Sequence, residues 1–177
     1  LDSHNVEEII NAVKMMEPTF GGINLEDIKA PECFEIEQRL KEEMNIPVFH
    51  DDQHGTAIIS AAALINAAEI AGKKLKDLKV VVSGAGASAI ACTNHYLRFG
   101  VKRENVFLVD SRGLVTTKRK SELNNFKRKF MQDSEMTSLA ETIVGADVFI
   151  GLSVGGLVTQ DMIKSMAADP IVFAMAN

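Results

Sequence analysis

Val80-Val81-Val82-Ser83-Gly84-Ala85-Gly86-Ala87-Ser88-Ala89 decides the fold. The β-branched run from Lys79 to Ser83 carries no charge after Lys79, as a central strand of a parallel sheet requires. A G-x-G-x-x-A turn follows and opens a helix that runs through about Phe99. In this pattern the first glycine makes the tight turn and the second lets the backbone approach a pyrophosphate. The small third position lets helix and strand pack closely. Free N–H groups at the helix start complement phosphate charge. Asp110 closes the next predicted strand, 24 residues beyond Gly86, where an acid would bond a ribose 2′-hydroxyl. Gly84, Ala85, Gly86, Ala87, Ser88, Ala89 and Asp110 are therefore candidate dinucleotide-binding residues. A tight turn that binds no nucleotide is the alternative, and the strand, turn and acid together argue against it. Asp110 would repel a 2′-phosphate and so favours NAD. Arg112, with Lys118, Arg119 and Lys120 nearby, could pair with that phosphate and so favours NADP. The residues leave this choice open.

Outward from the turn, strands and helices alternate. Strands are predicted near Asn105 to Val109, Asp147 to Ile150 and Ile171 to Ala174. Helices are predicted near Ser121 to Phe130, Ser138 to Val144 and Thr159 to Ala167, with a turn at Arg112-Gly113. This alternation predicts βαβ units with right-handed crossovers, hence an α/β doubly wound parallel sheet. Upstream, Val6, Ile9, Ile10 and Val13 share one helical face. Ile23 to Ile28 holds a short extended piece, and a helix starts near Pro31. Pro47-Val48-Phe49 reads as a short buried strand before a long alanine-rich helix to about Ala71.

At 177 residues the chain can bury a full core, and 46% apolar with 24% charged residues is ordinary for a globular protein. A net charge of −5 argues against nucleic acid or an anionic membrane as the main partner. Cys33 and Cys92 form neither a disulfide framework nor a metal-spaced pair, and read as small buried residues in a reducing compartment. No leader sequence is visible, and Ala57 to Ala71 is too short to span a bilayer. Both ends look cut, since the chain opens at Leu1 in helix-like sequence and stops at Asn177 as a strand finishes. The chain is thus expected to be an internal piece of a longer protein.

Two acid pairs, Glu26-Asp27 and Asp51-Asp52, each follow a short apolar segment. Carboxylates from two strand ends suit a hard cation such as Mg²⁺ or Mn²⁺, which takes oxygen ligands. Spacing alone permits a plainer reading, in which Asp51-Asp52 caps the helix beginning at Gly55-Thr56. His50 and His54 flank the second pair, but they lack the glutamate of a zinc H-E-x-x-H motif. Packing or hydrogen-bonding roles are expected of them.

Three segments carry a resemblance. Glu17 to Asp27 (EPTFGGINLED), Phe49 to Ala57 (FHDDQHGTA) and Val82 to Gly86 (VSGAG) together resemble the malic enzyme family. The resemblance is to the bacterial type often fused to a phosphotransacetylase-like region. It implies an enzyme that converts malate and NAD(P)⁺ to pyruvate, CO₂ and NAD(P)H with a divalent metal. It implies Glu26, Asp27 and Asp52 as metal ligands, and Asp51 as a catalytic-site acid beside the family's lysine. Gly84 to Ala89 would be the phosphate loop, and Asn177 would lie against substrate and nicotinamide. The family's catalytic tyrosine and lysine would lie upstream of Leu1, and Tyr96 is not that tyrosine. The chain alone is therefore expected to be inactive. Gly155 stands where relatives often have proline. Residues 1–54 would be the end of the substrate and metal domain. Residues 55–177 would be a Rossmann-type nucleotide domain truncated at its C-terminal end. A homo-oligomer in the cytoplasm is the corresponding expectation. Two rivals stand beside this reading. An amino-acid or folate dehydrogenase would lack the carboxylate cluster, and a nucleotide-sensing module would bind cofactor without metal.

Overall fold

Asn5 begins the first helix. Its side-chain oxygen accepts from the N–H groups of Glu7 and Glu8, at 2.9 and 3.3 Å. In this computed structural model, which describes residues 2–176, helix α1 spans Val6–Met16. Ile9, Ile10 and Val13 then fall on one face and bury against Ile36 and Leu40 of helix α2 (Glu32–Glu43). Beside the two helices lie strands β1 (Ile23–Leu25) and β2 (Val48–His50), paired in parallel with Leu25 opposite His50. Replacing Asn5 by alanine removes the cap, and unfolding in urea should register a loss of about 1 kcal/mol.

The second unit is a five-stranded sheet. Its strands are β3 (Val80–Ser83), β4 (Val106–Asp110), β5 (Gly113–Leu114), β6 (Val148–Gly151) and β7 (Ile171–Ala174), in the order β5-β4-β3-β6-β7. All pairs are parallel except β4 with β5. Alternation along the central strands assigns the two faces. Val80, Val82, Val106, Leu108, Val148 and Ile150 bury against helices α3 (Thr56–Ile70) and α4 (Ala87–Arg98). Val81, Val109 and Phe149 face the opposite side, where Ile143 of α6 (Leu139–Ile143) packs with Met166. Helices on both faces make the sheet doubly wound, as predicted.

Two local expectations needed revision. The helix predicted near Ser121 to Phe130 is a 3₁₀ stretch, Thr117–Glu122, followed by the one-turn α5 (Asn125–Arg128). Asn124 explains the break, because its side chain accepts from the Lys127 N–H at 2.9 Å and restarts the helix there. The predicted Thr159 to Ala167 helix is likewise short, α7 spanning Gln160–Lys164. Strand β5 was not foreseen. It follows from Gly113 at φ 106°, which folds the chain back so that Gly113 pairs with Asp110.

Both cysteines are free and buried, and burial pushes the Cys33 thiol up to about 11. Among the described residues no helix is long and apolar enough to cross a membrane.

Candidate functional site

The carboxyl ends of β3 and β4 open onto a cleft of about 1000 Å³. The glycine turn lines it through Gly84, Ala85 and Gly86, and Asp110, Arg112 and Lys127 line its far side. Gly84 sits at φ 124°, and its N–H donates to the Val109 carbonyl at 2.8 Å. A Cβ there would stand 2.7 Å from the Leu152 carbonyl oxygen, so only glycine fits. Gly86 precedes α4, and a Cβ on it would meet nothing within 4 Å. No side chain caps α4, so its first N–H groups remain free for an anion.

The predicted loop residues divide. Gly84, Ala85 and Gly86 face the cleft, whereas Ala87, Ser88 and Ala89 are not among its lining residues. Ala89 is buried where helix meets sheet, the role expected of a small third position. Ser88 turns the other way, its hydroxyl donating to the Asp52 backbone carbonyl at 2.6 Å. One turn of α4 therefore touches the acidic segment directly.

Asp110 and Arg112 do reach the cleft together, but the Asp110 carboxylate is not free. It accepts from the Arg112 N–H at 2.9 Å, from Arg119 at 3.0 and 3.1 Å, and from Lys127 at 3.0 Å. Burial pushes this carboxyl up, but the Arg112 N–H, Lys127 and Arg119 outweigh it and hold it below the ordinary carboxylate range. Arg119 also donates to the Gly113 and Leu114 carbonyls, which makes it a brace for β5. Lys118 pairs with Glu135 and Arg112 with Glu122. Lys127 was missed by the sequence reading, because nothing in a spacing of 17 residues marks it as a partner of Asp110. At the cleft's rim Ser138 and Glu141 form a capping box on α6. The Ser138 and Thr137 backbone N–H groups, with their hydroxyls, lower the Glu141 carboxyl to about 2.

The acid pairs emerge from adjacent parallel strands. With Leu25 opposite His50, Glu26-Asp27 and Asp51-Asp52 leave the same edge of the small sheet. Asp27 adopts φ 57°, and its N–H donates to Asp52 Oδ2 at 2.9 Å. Residues Asp51–Gly55 form a single π turn rather than a side-chain cap on α3. The Asp51 carboxylate folds over Gly55, where a Cβ would lie 2.2 Å from Oδ1. Glu26 is exposed. The donors are all carboxylates, which suit a hard divalent cation. Among the described residues, however, no three His, Cys, Asp or Glu groups come together as a metal site. Asp52 is instead engaged with Asp27, and Asp51 with its own turn.

Neither flanking histidine is hydrogen-bonded to the acid pairs. His54 pairs with Glu37 at 2.5 Å, and Lys41 meets the same oxygen. His50 is fully buried, and burial lowers its imidazole below the ordinary range. Tyr96 is buried in α4. Asn177 lies outside the described residues.

Residues 53–177 match the family model for the malic enzyme NAD-binding domain, and residues 2–41 match that for the malic enzyme N-terminal domain. The chain belongs to the malic enzyme family. An NADP-dependent malic enzyme of Haemophilus influenzae is 54% identical over 178 residues, covering 100% of this chain and 24% of its own length. An NAD-dependent malic enzyme of Rhizobium meliloti is 50% identical over 177 residues, covering 100% of this chain and 23% of its own length. The chain thus spans about a quarter of the length of these curated relatives. The crystal structure of an NAD-dependent malic enzyme from Thermotoga maritima superposes with a TM-score of 0.91 at 44% identity, covering 100% of this chain and 48% of that one. Family membership does not separate the two nucleotides, because relatives named for each are about equally similar.

Proposed function

We propose that this chain supplies the nucleotide cleft and the metal carboxylates of an enzyme that oxidises malate to pyruvate and CO₂ with NAD(P)⁺. The observation that carries this reading is the Ser88–Asp52 contact, which ties the helix of the glycine turn to the acidic strand ends. Malate oxidation needs just that adjacency, since nicotinamide and metal must act on one small molecule. Glu26, Asp27 and Asp52 would hold Mg²⁺ or Mn²⁺, with the carboxylates rotating inward from the Asp27–Asp52 contact. When bound, the cation polarises the substrate's hydroxyl and carboxylate oxygens and later its ketone. Gly84 to Gly86 and the free N–H groups of α4 would seat the pyrophosphate, and Asp51 would border the substrate with Asn177. Base and acid steps on malate would fall to residues outside this chain.

The division into residues 1–54 and 55–177 is part of this proposal. It is supported by the two separate sheets and by the boundaries of the family matches. A homo-oligomer is supported by the outer face of α3, where Ile58, Ile59 and Ile70 are exposed.

The test is an enzyme carrying this chain in its complete reading frame. Malate-dependent reduction of NAD(P)⁺ with Mn²⁺ should be abolished by excess EDTA. Asp52→Ala should lower that rate by roughly 100-fold or more and weaken Mn²⁺ binding measured directly by calorimetry. Activity that survives EDTA would sink the metal assignment, and a folded enzyme that binds nucleotide but ignores malate would sink the reaction.

A further inference from the structure

A second cavity, of about 270 Å³, opens where α2, the π turn, α3, α4 and α5 meet. It shares no lining residue with the nucleotide cleft, and none of Glu26, Asp27, Asp51 or Asp52 lines it. Helix α4 contributes Ile90, Ala91, Asn94, His95 and Arg98, a spacing that puts all five on one helical face. At the helical rise of about 1.5 Å per residue, this face runs roughly 12 Å from an apolar end at Ile90 to a cationic end at Arg98. From α2 and α5, Phe34 and Phe126 add an apolar wall, their rings stacked with centroids 4.2 Å apart. Lys129, just after α5, adds a second cation.

The charge of this cavity is one-sided. No Asp or Glu lines it, although the chain carries a net charge of −5. Arg98 and Lys129 are exposed, and among the described residues neither has a carboxylate partner. The carboxylate that meets His54, Glu37, is already shared with Lys41. Gln53 supplies an independent sign. It is 4% exposed and lines the cavity, yet its Nε2 is buried with no hydrogen-bond partner among the described residues. Buried amides are rarely left so, and such a group marks a place for an acceptor.

We propose that this cavity binds a compact organic anion, separately from the nucleotide cleft and from the acid pairs. A carboxylate head meets Arg98 and Lys129, where the guanidinium offers paired donors and both bonds are charge-assisted. The hydrocarbon body lies along Ile90 and the Phe34–Phe126 pair, and Gln53 donates to a ligand oxygen. The volume is below the roughly 300–1,000 Å³ usual for larger ligands, so the body is short. Gln53 and His54 belong to the π turn that carries Asp51 and Asp52, and Ser88 of α4 holds the Asp52 carbonyl. An occupant therefore braces the acidic turn against α4 without touching the acids themselves.

The experiment is calorimetry on the enzyme in its complete reading frame, with butyrate, acetate and inorganic phosphate as probes and neither metal nor malate present. Butyrate should bind saturably, and acetate, two methylenes shorter, roughly 5- to 15-fold more weakly. Phosphate, which has no hydrocarbon body, should also bind more weakly than butyrate. Saturating NAD(P)⁺ should leave butyrate affinity within about twofold. Arg98→Gln combined with Lys129→Gln should weaken butyrate roughly 10-fold or more. Both side chains are exposed, so the fold should hold, and circular dichroism checks it. The probe series on the unaltered enzyme needs no variant. Absence of saturable butyrate binding would overturn the site and leave Arg98 as a cation balancing the C-terminal carbonyls of α4. Phosphate binding tighter than butyrate would overturn the organic anion. Displacement of butyrate by nucleotide, or affinity unchanged in the folded double variant, would put the anion elsewhere and overturn the proposal.

Discussion

Gly84→Ala is expected to lose both stability and nucleotide binding. The backbone at residue 84 stands at φ 124°, which an L side chain adopts only with strain. The new methyl would also meet the Leu152 carbonyl oxygen at 2.7 Å and its carbon at 2.9 Å. Neither obstacle is a flexible side chain, since Leu152 continues β6 and its N–H is bonded to the Ser83 carbonyl at 2.8 Å. Strain of about 1–3 kcal/mol and overpacking of similar size sum to roughly 2–6 kcal/mol. The melting temperature should then fall by about 5–15 °C, readable by calorimetry. Relief of the clash must move the β3–α4 turn, so NAD(P)⁺ affinity should drop by roughly 100-fold. Gly86→Ala is the matched control. Its methyl meets nothing within 4 Å, so the fold should keep its stability while the methyl obstructs the cleft. Unchanged stability in Gly84→Ala would show that the turn yields without strain.

Ile150→Ala should destabilise the protein without touching the cleft. Ile150 has no exposed surface and sits in β6, flanked by Val82 of β3 and Phe173 of β7. Its side chain belongs to the core shared with α3 and α4. Truncation removes apolar contacts and leaves a cavity between strands on both sides, which resists collapse. The expected loss is about 3–4 kcal/mol, seen as a lower urea midpoint at unchanged slope. Nucleotide affinity in the fraction still folded should stay near normal. A loss below about 1 kcal/mol would mean that the sheet closes over the gap.

Much of this molecule is legible locally. The run Val80 to Ser83, the glycine turn and the alanine-rich start of α4 predict strand, turn and helix within a residue or two of what is observed. Period-two burial follows from the pleat, which sends Val80 and Val82 to one face and Val81 to the other. The predicted helix after Ser121 failed for an equally local reason, the Asn124 cap, whose strength depends on whether its side chain finds the Lys127 N–H.

Residues 79–110 thus announce a dinucleotide-type βαβ unit by themselves, because periodicity, glycine placement and strand burial are short-range properties. The segments around Asp27 and Asp52 announce a family. The assembly of the site depended on contacts between distant segments. The β1–β2 register brings Asp27 to Asp52 across 25 residues. Ser88 reaches Asp52 across 36. Lys127 reaches Asp110 across 17. Such partners are chosen by strand pairing and by the path of the connecting loops, which no local pattern encodes. The same holds for the charge of the cleft: Asp110 reads as a free acid in one dimension, and becomes a compensated anchor only when the chain after β5 folds Arg119 and Lys127 onto it.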